Sequence, residues 1–179
     1  MSGGWDTGRT MHSKFATTRF VVMGVAGCGK SSVAARAAQA LGLAMIEGDA
    51  FHAPASVAKM RTGQPLTDAD RAGWLDRLAA ELGAHPGGAV LACSALKRAY
   101  RDRLRAAAPG LGFVFLELDR DTARARVGAR PGHFFSAALV DDQFATLEPP
   151  TGEAGVLALD ATAAPAGIDA AVQAWAAGG

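Results

Sequence analysis

The chain contains no asparagine, only two cysteines and no long apolar run. Each absence closes off a class of protein. Without asparagine the guanine-reading N-K-x-D motif cannot be written, which argues against a regulatory GTPase. Asp70-Arg71-Ala72-Gly73 does match D-x-x-G, but it opens an amphipathic helical pattern instead of closing a strand. Cys28 and Cys93 are too few for a disulfide scaffold, and a reducing cytoplasm is the expected compartment. No stretch reaches the roughly 18 consecutive apolar residues of a membrane span. An excess of one charge is missing too: 18 Lys+Arg against 17 Asp+Glu leave a net charge of +1. Neither nucleic acid nor a membrane surface is therefore an expected partner.

What is present suits one α/β domain. The 179 residues are 50% hydrophobic and 20% charged, which excludes a mostly disordered chain. Residues 1–18 are polar and rich in Gly, Ser and Thr, and read as a disordered leader before a domain spanning 19–176. Five short apolar runs follow: Phe20–Met23, Leu43–Ile46, Ala89–Cys93, Phe113–Leu118 and Val156–Leu159. Each reads as a strand buried on both faces. Helical patterns separate them over Ser31–Leu41, Asp70–Leu82 and Lys97–Ala107, and a last helix is expected over Ile168–Trp175. The 41 alanines favour helix in these segments. This alternation implies a three-layer fold, a five-stranded parallel sheet with helices on both faces.

The strongest motif is Gly24-Val25-Ala26-Gly27-Cys28-Gly29-Lys30-Ser31, which matches G-x-x-x-x-G-K-[ST] between an apolar run and an Ala-rich helix. Glycines let successive N–H groups turn towards phosphate oxygens, and the helix N-terminus adds its positive dipole end. Lys30 is expected to reach the β- and γ-phosphates of ATP, with Ser31 as a Mg²⁺ ligand and Ser32 beside it. Cys28 is read as a small residue tolerated in the loop.

Four further clusters suggest a phosphoryl transfer. Glu47-Gly48-Asp49-Ala50-Phe51-His52 ends the second strand, where open parallel sheets bind ligands. Glu47 suits the metal side, Asp49 suits a base that accepts a hydroxyl proton, and His52 can hydrogen-bond the acceptor. Lys59, Arg61 and Arg71 are cations for a small anionic acceptor, with Thr67 or Asp68 capping the next helix. After the third strand, Ser94, Lys97 and Arg98 would point towards the acceptor or the moving phosphoryl group. Arg126 and Arg130, four apart on one expected helical face, belong to a lid over about 124–136 that would place guanidinium groups on the phosphates.

The segments GVAGCGKS, EGDAFH, KMRTGQPLTDADRAGWL, CSALKRAYRDRLR, RPGHFF and QFATLE run in order along nearly all of the chain beyond the leader. Together they resemble the short gluconokinases of the phosphate-loop type. The resemblance implies a phosphate-loop kinase fold like that of shikimate and nucleoside monophosphate kinases, with a mobile lid. It also implies transfer from ATP, with Mg²⁺, to the 6-hydroxyl of D-gluconate, in a homodimer. Gly24–Ser31 then forms the ATP site, and Arg126 and Arg130 lie in the lid. Asp49, His52, Lys59, Arg71, Ser94, Lys97 and His133 fall on the acceptor side. Ala53-Pro54-Ala55-Ser56 stands where the family usually has Pro-x-x-Asn, and Gly73 where proline usually precedes the tryptophan.

Overall fold

The computed structural model describes residues 18–131 and 136–178. Residues 1–17 and 132–135, His133 among them, lie outside the described residues, and so do most of the expected leader and part of the expected lid. In chain order the elements are β1 (Arg19–Met23), α1 (Lys30–Leu41), β2 (Ala44–Glu47), α2 (Pro54–Arg61), α3 (Asp68–Gly83) and β3 (Ala89–Ala92). They continue as α4 (Arg98–Ala107), β4 (Gly112–Glu117), α5 (Arg120–Gly128), α6 (Ala137–Thr146), β5 (Val156–Asp160) and α7 (Pro165–Ala176). The strands pair in parallel in the order β2-β3-β1-β4-β5.

Alternation along the strands builds two cores. Phe20, Val22, Val90, Ala92, Val114 and Leu116 face α1, α5, α6 and α7. Val21, Met23, Leu91, Cys93, Phe113 and Phe115 face α3 and α4. One apolar stripe of each helix supplies the other side: Val33, Ala37 and Leu41 of α1, Trp74, Leu75, Leu78 and Leu82 of α3, and Tyr100 and Leu104 of α4 are all buried.

Burial on both faces holds for β1, β3 and β4 but not for all five strands. β2 and β5 are the sheet edges, with a strand neighbour on one side only. Met45 on β2 is 36% exposed, and Leu157 and Leu159 on β5 are only partly buried.

One helix, α2, carries little sequence signal, whereas α3 carries a clear one. α2 has weak amphipathicity and starts with Pro54 in its first turn, a position that suits proline because no intrahelical N–H is needed there. The displaced proline at 54 thus begins a helix. α3 opens with a capping box: Thr67 Oγ1 accepts from the Asp70 N–H, and the Asp70 carboxylate accepts from the Thr67 N–H. The D-x-x-G match therefore lies in the first turns of a helix, as expected. α5 ends at Gly128, so Arg130 lies past it and does not share a helical face with Arg126. Gly128 followed by Pro131 stops the helix before another turn can form.

The connections place the site. β1 leads into α1 on one face, and β3 leads into α4 on the other. A crevice opens beyond the carboxyl ends of β1 and β3, where the following helices diverge.

Candidate active site

The loop between β1 and α1 forms the floor of this crevice. Gly24, Gly27 and Gly29 take φ of 148°, 83° and 88°, values that side chains disfavour. A Cβ on Gly24 would stand 2.8 Å from both the Leu116 carbonyl oxygen and Cys28 Sγ. Gly29 is the N-cap of α1 and no side chain caps that end, so the helix presents bare N–H groups to an anion. Ala26, Gly27, Gly29, Lys30, Ser31 and Ser32 line the cleft. Gly24, Val25 and Cys28 do not; Val25 and Cys28 are buried against the sheet and contribute through the loop's shape.

The sequence reading gave Gln143 no role. It reaches from α6 to accept the buried Ala26 N–H on Oε1 at 2.6 Å, and it lines the cleft itself. Nothing in the spacing of α6 signals this, because the partner lies 117 residues away. Gln143→Ala leaves that N–H buried without an acceptor and should cost about 1–3 kcal/mol of stability. Urea unfolding checks this, and an unchanged midpoint would show that the bond contributes nothing.

The second wall is a single 3-10 turn, Gly48–Phe51, directly after β2. Gly48 is required by close approach: a Cβ there would lie 2.4 Å from the Ala92 carbonyl oxygen at the end of β3. α3 pins the turn from the side. Trp74 Nε1 donates to the Gly48 carbonyl at 2.8 Å, and Arg77 Nε donates to the Phe51 carbonyl at 2.8 Å. The His52 ring stacks on Trp74 with centroids 4.4 Å apart and an interplanar angle of 16°. Its Nε2 lies 3.7 Å from Asp49 Oδ1, while its Nδ1 is buried with no hydrogen-bond partner. Asp49 and His52 both line the cleft. Glu47 does not, but its Oε1 is buried without a partner at the end of β2.

The third wall is the turn from β3 to α4, which brings Ser94 to the cleft. Ala95 takes φ 45°, the only positive value outside glycine among the described residues. Arg101, fully buried, holds this turn by donating from Nη1 to the carbonyls of Ala95 and Leu96 at 2.8 and 3.1 Å. Its charge is met by Glu153, which also pairs with Arg105. The Arg101 hydrogen bonds, followed by those of Arg105, hold the Glu153 carboxyl at about 2. Cys93 beside the turn is fully buried, and burial pushes its thiol up to about 12, so it stays protonated.

The remaining cations divide. Arg71 is buried and lines the cleft. Lys59 pairs with Asp70, Lys97 pairs with Asp68, and neither lines the cleft; Arg61 is exposed. The Lys59 ammonium holds the Asp70 carboxyl at about 2. Arg130 lines the cleft, whereas Arg126 does not and donates to the carbonyls of Gly27 at 3.1 Å and Ala161 at 3.4 Å. Ser56 is buried in α2 and does not line the cleft. Among the described residues no cluster of three His, Cys, Asp or Glu side chains could hold a metal ion by itself.

A glycine-rich loop at a helix N-terminus, facing a carboxylate and a buried arginine across the switch point of a parallel sheet, defines a phosphate-loop kinase. A family model described as an AAA domain matches residues 20–150. The chain is 49% identical to the gluconokinase of Gluconobacter oxydans strain 621H, over 76% of this chain and 79% of that protein. It is 42% identical to the thermoresistant gluconokinase of Escherichia coli K12, over 79% and 83% of the two chains. The crystal structure of a gluconokinase from Sinorhizobium meliloti 1021 superposes with a TM-score of 0.81 at 44% identity, covering 89% of this chain and 94% of the other. An unliganded sugar kinase from Janibacter sp. HTCC2649 superposes with a TM-score of 0.84 at 39% identity, over the same shares of the two chains. The chain belongs to the gluconokinase family.

Proposed function

We propose that this protein transfers the γ-phosphoryl group of ATP to the 6-hydroxyl of D-gluconate, yielding 6-phosphogluconate and ADP. The observation that carries this reading is the cleft, which Lys30, Ser31, Asp49, His52 and Arg71 line together. The names of the relatives favour gluconate over other sugar acids.

In the proposed reaction the loop N–H groups and Lys30 hold the β- and γ-phosphates, where negative charge develops. Asp49 accepts the proton of the acceptor hydroxyl as its oxygen bonds to phosphorus and the bridging bond to ADP breaks. His52 and Ser94, which both line the cleft, bind acceptor hydroxyls. Arg130 meets the equatorial oxygens of the phosphoryl group from the lid side, and Arg126 braces the loop through the Gly27 carbonyl. Ser31 and the orphaned Glu47 oxygen suit a hydrated Mg²⁺, Ser31 as a direct ligand and Glu47 through water. When bound, Mg²⁺ would neutralise charge on the phosphates. The proposal includes a lid over about 124–136, a homodimer and a cytoplasmic location; the family resemblance supports the first two and the sparse cysteine the third. It assigns no nucleic-acid or membrane partner; among the described residues no helix is long and apolar enough to cross a membrane.

The test is ADP release from Mg²⁺-ATP with a panel of sugar acids, shikimate and nucleoside monophosphates, each against a blank without acceptor. Turnover with D-gluconate well above the others is expected. Turnover confined to another acceptor, or no more than the blank rate with gluconate, would overturn the proposal.

A further inference from the structure

We infer that Arg71 takes the carboxylate of the acceptor, with Tyr100 as its positioning residue, so that the cleft selects an open-chain polyhydroxy acid over its neutral counterpart. This rests on the sugar-acid reading above and specifies how the acid end is recognised. Of the basic side chains the sequence motifs place towards the acceptor, Arg61 and Arg98 are exposed and do not line the cleft, which leaves Lys59, Arg71 and Lys97. Two of them already have carboxylates. Lys59 Nζ donates to both Asp70 oxygens at 3.0 and 2.8 Å, and Lys97 Nζ donates to both Asp68 oxygens at 3.0 and 3.1 Å.

Arg71 differs in each respect. It lines the cleft, it is only 8% exposed, and it enters no ion pair among the described residues. Its Nη1 donates to the Tyr100 hydroxyl at 3.2 Å, a neutral partner. A guanidinium carries five N–H donors, and burying one whose only hydrogen-bond partner among the described residues is a hydroxyl is costly. A carboxylate entering the cleft would supply the opposite charge and two parallel acceptors that match the planar fork.

Tyr100 is the only tyrosine in the chain. Its hydroxyl donates to Asp68, which Lys97 holds in turn, so the phenol oxygen is left as the acceptor for Arg71. Its ring centroid lies 5.5 Å from the guanidinium carbon. Asp68 and Lys97 thus act on the acceptor through Tyr100 and Arg71, although neither touches the cleft. Three residues along α3, Trp74 carries the stacked His52, so the acid-binding and hydroxyl-binding walls are adjacent on one helix.

Calorimetric titration of D-gluconate and D-gluconamide into the full chain without nucleotide separates this inference from turnover. The unaltered protein should bind gluconate at least about 30-fold more tightly than gluconamide, and Arg71→Gln should shrink that ratio to within about threefold. Tyr100→Phe should weaken gluconate about three- to tenfold while leaving gluconamide unchanged, which a general loss of structure would not do. No preference for the acid in the unaltered protein, or a full preference in folded Arg71→Gln, would overturn the inference. So would collapse of the ratio in Lys59→Gln instead. Where Arg71→Gln does not fold by circular dichroism, Tyr100→Phe decides, and unchanged gluconate affinity refutes the role. A protein that binds gluconate with this preference yet does not phosphorylate it would refute the kinase reading and leave the carboxylate site standing.

Discussion

Asp49→Ala is expected to lower kcat at least about 100-fold, because a group that accepts the hydroxyl proton acts mainly in the transition state. The geometry isolates the effect. The Asp49 side chain is more than half exposed at the tip of the 3-10 turn, and the turn is held by backbone groups on either side of it. Trp74 grips the Gly48 carbonyl, and Gly48 packs against the Ala92 carbonyl. The variant should therefore fold and keep a near-normal KM for ATP. Lys30→Ala should also cost at least about 100-fold in kcat, through the phosphates, since it removes charge stabilisation of the moving group. That variant should raise the KM for ATP as well, and the contrast distinguishes the two roles. Steady-state ADP release measures both. Near-wild-type turnover in Asp49→Ala would end its assignment as base.

The second large effect is on stability. Glu153→Ala should destabilise the protein by about 3–5 kcal/mol, the usual consequence of leaving a buried charge without its partner. Arg101 is fully buried and Glu153 side-chain exposure is 5%, so water cannot substitute. The same pair sets an acid limit. The folded carboxyl sits at about 2 against an ordinary 4.5. A depressed value means that the folded state binds fewer protons than the unfolded chain, so the contribution is complete above about pH 5 and disappears as pH falls towards 2. Urea unfolding of the unaltered protein and of Glu153→Gln, from pH 7 down to pH 2.5, should show a shallower acid decline in the variant. Parallel pH profiles would refute the linkage. Because Arg101 also holds the Ala95 and Leu96 carbonyls, loss of the pair should loosen the wall that carries Ser94.

Much of this protein is local. The phosphate loop, the five strands and the apolar faces of α1, α3 and α4 follow from short-range rules: glycine where φ is positive, short apolar runs in buried strands, and a period of 3.6 in helices. Those rules also place Glu47, Asp49 and His52 at a strand end and so in the crevice's neighbourhood. Other features depend on pairs far apart in the chain. Gln143 meets Ala26, Arg101 meets Glu153, and the choice among Lys59, Lys97 and Arg71 depends on which carboxylates α3 and α4 bring together. Sequence spacing treats the three cations alike, because each is a basic residue in an acceptor-side segment. Packing separates them, because the aspartates of the first turn of α3 neutralise both lysines and leave the arginine facing the cleft. Likewise the i to i+4 spacing of Arg126 and Arg130 implies one face only while a helix lasts, and α5 ends between them. The sequence by itself determined the fold and the nucleotide loop, since both rest on backbone conformation and periodic burial. The tertiary structure alone decided which charges remain available to a ligand, since that depends on long-range neutralisation.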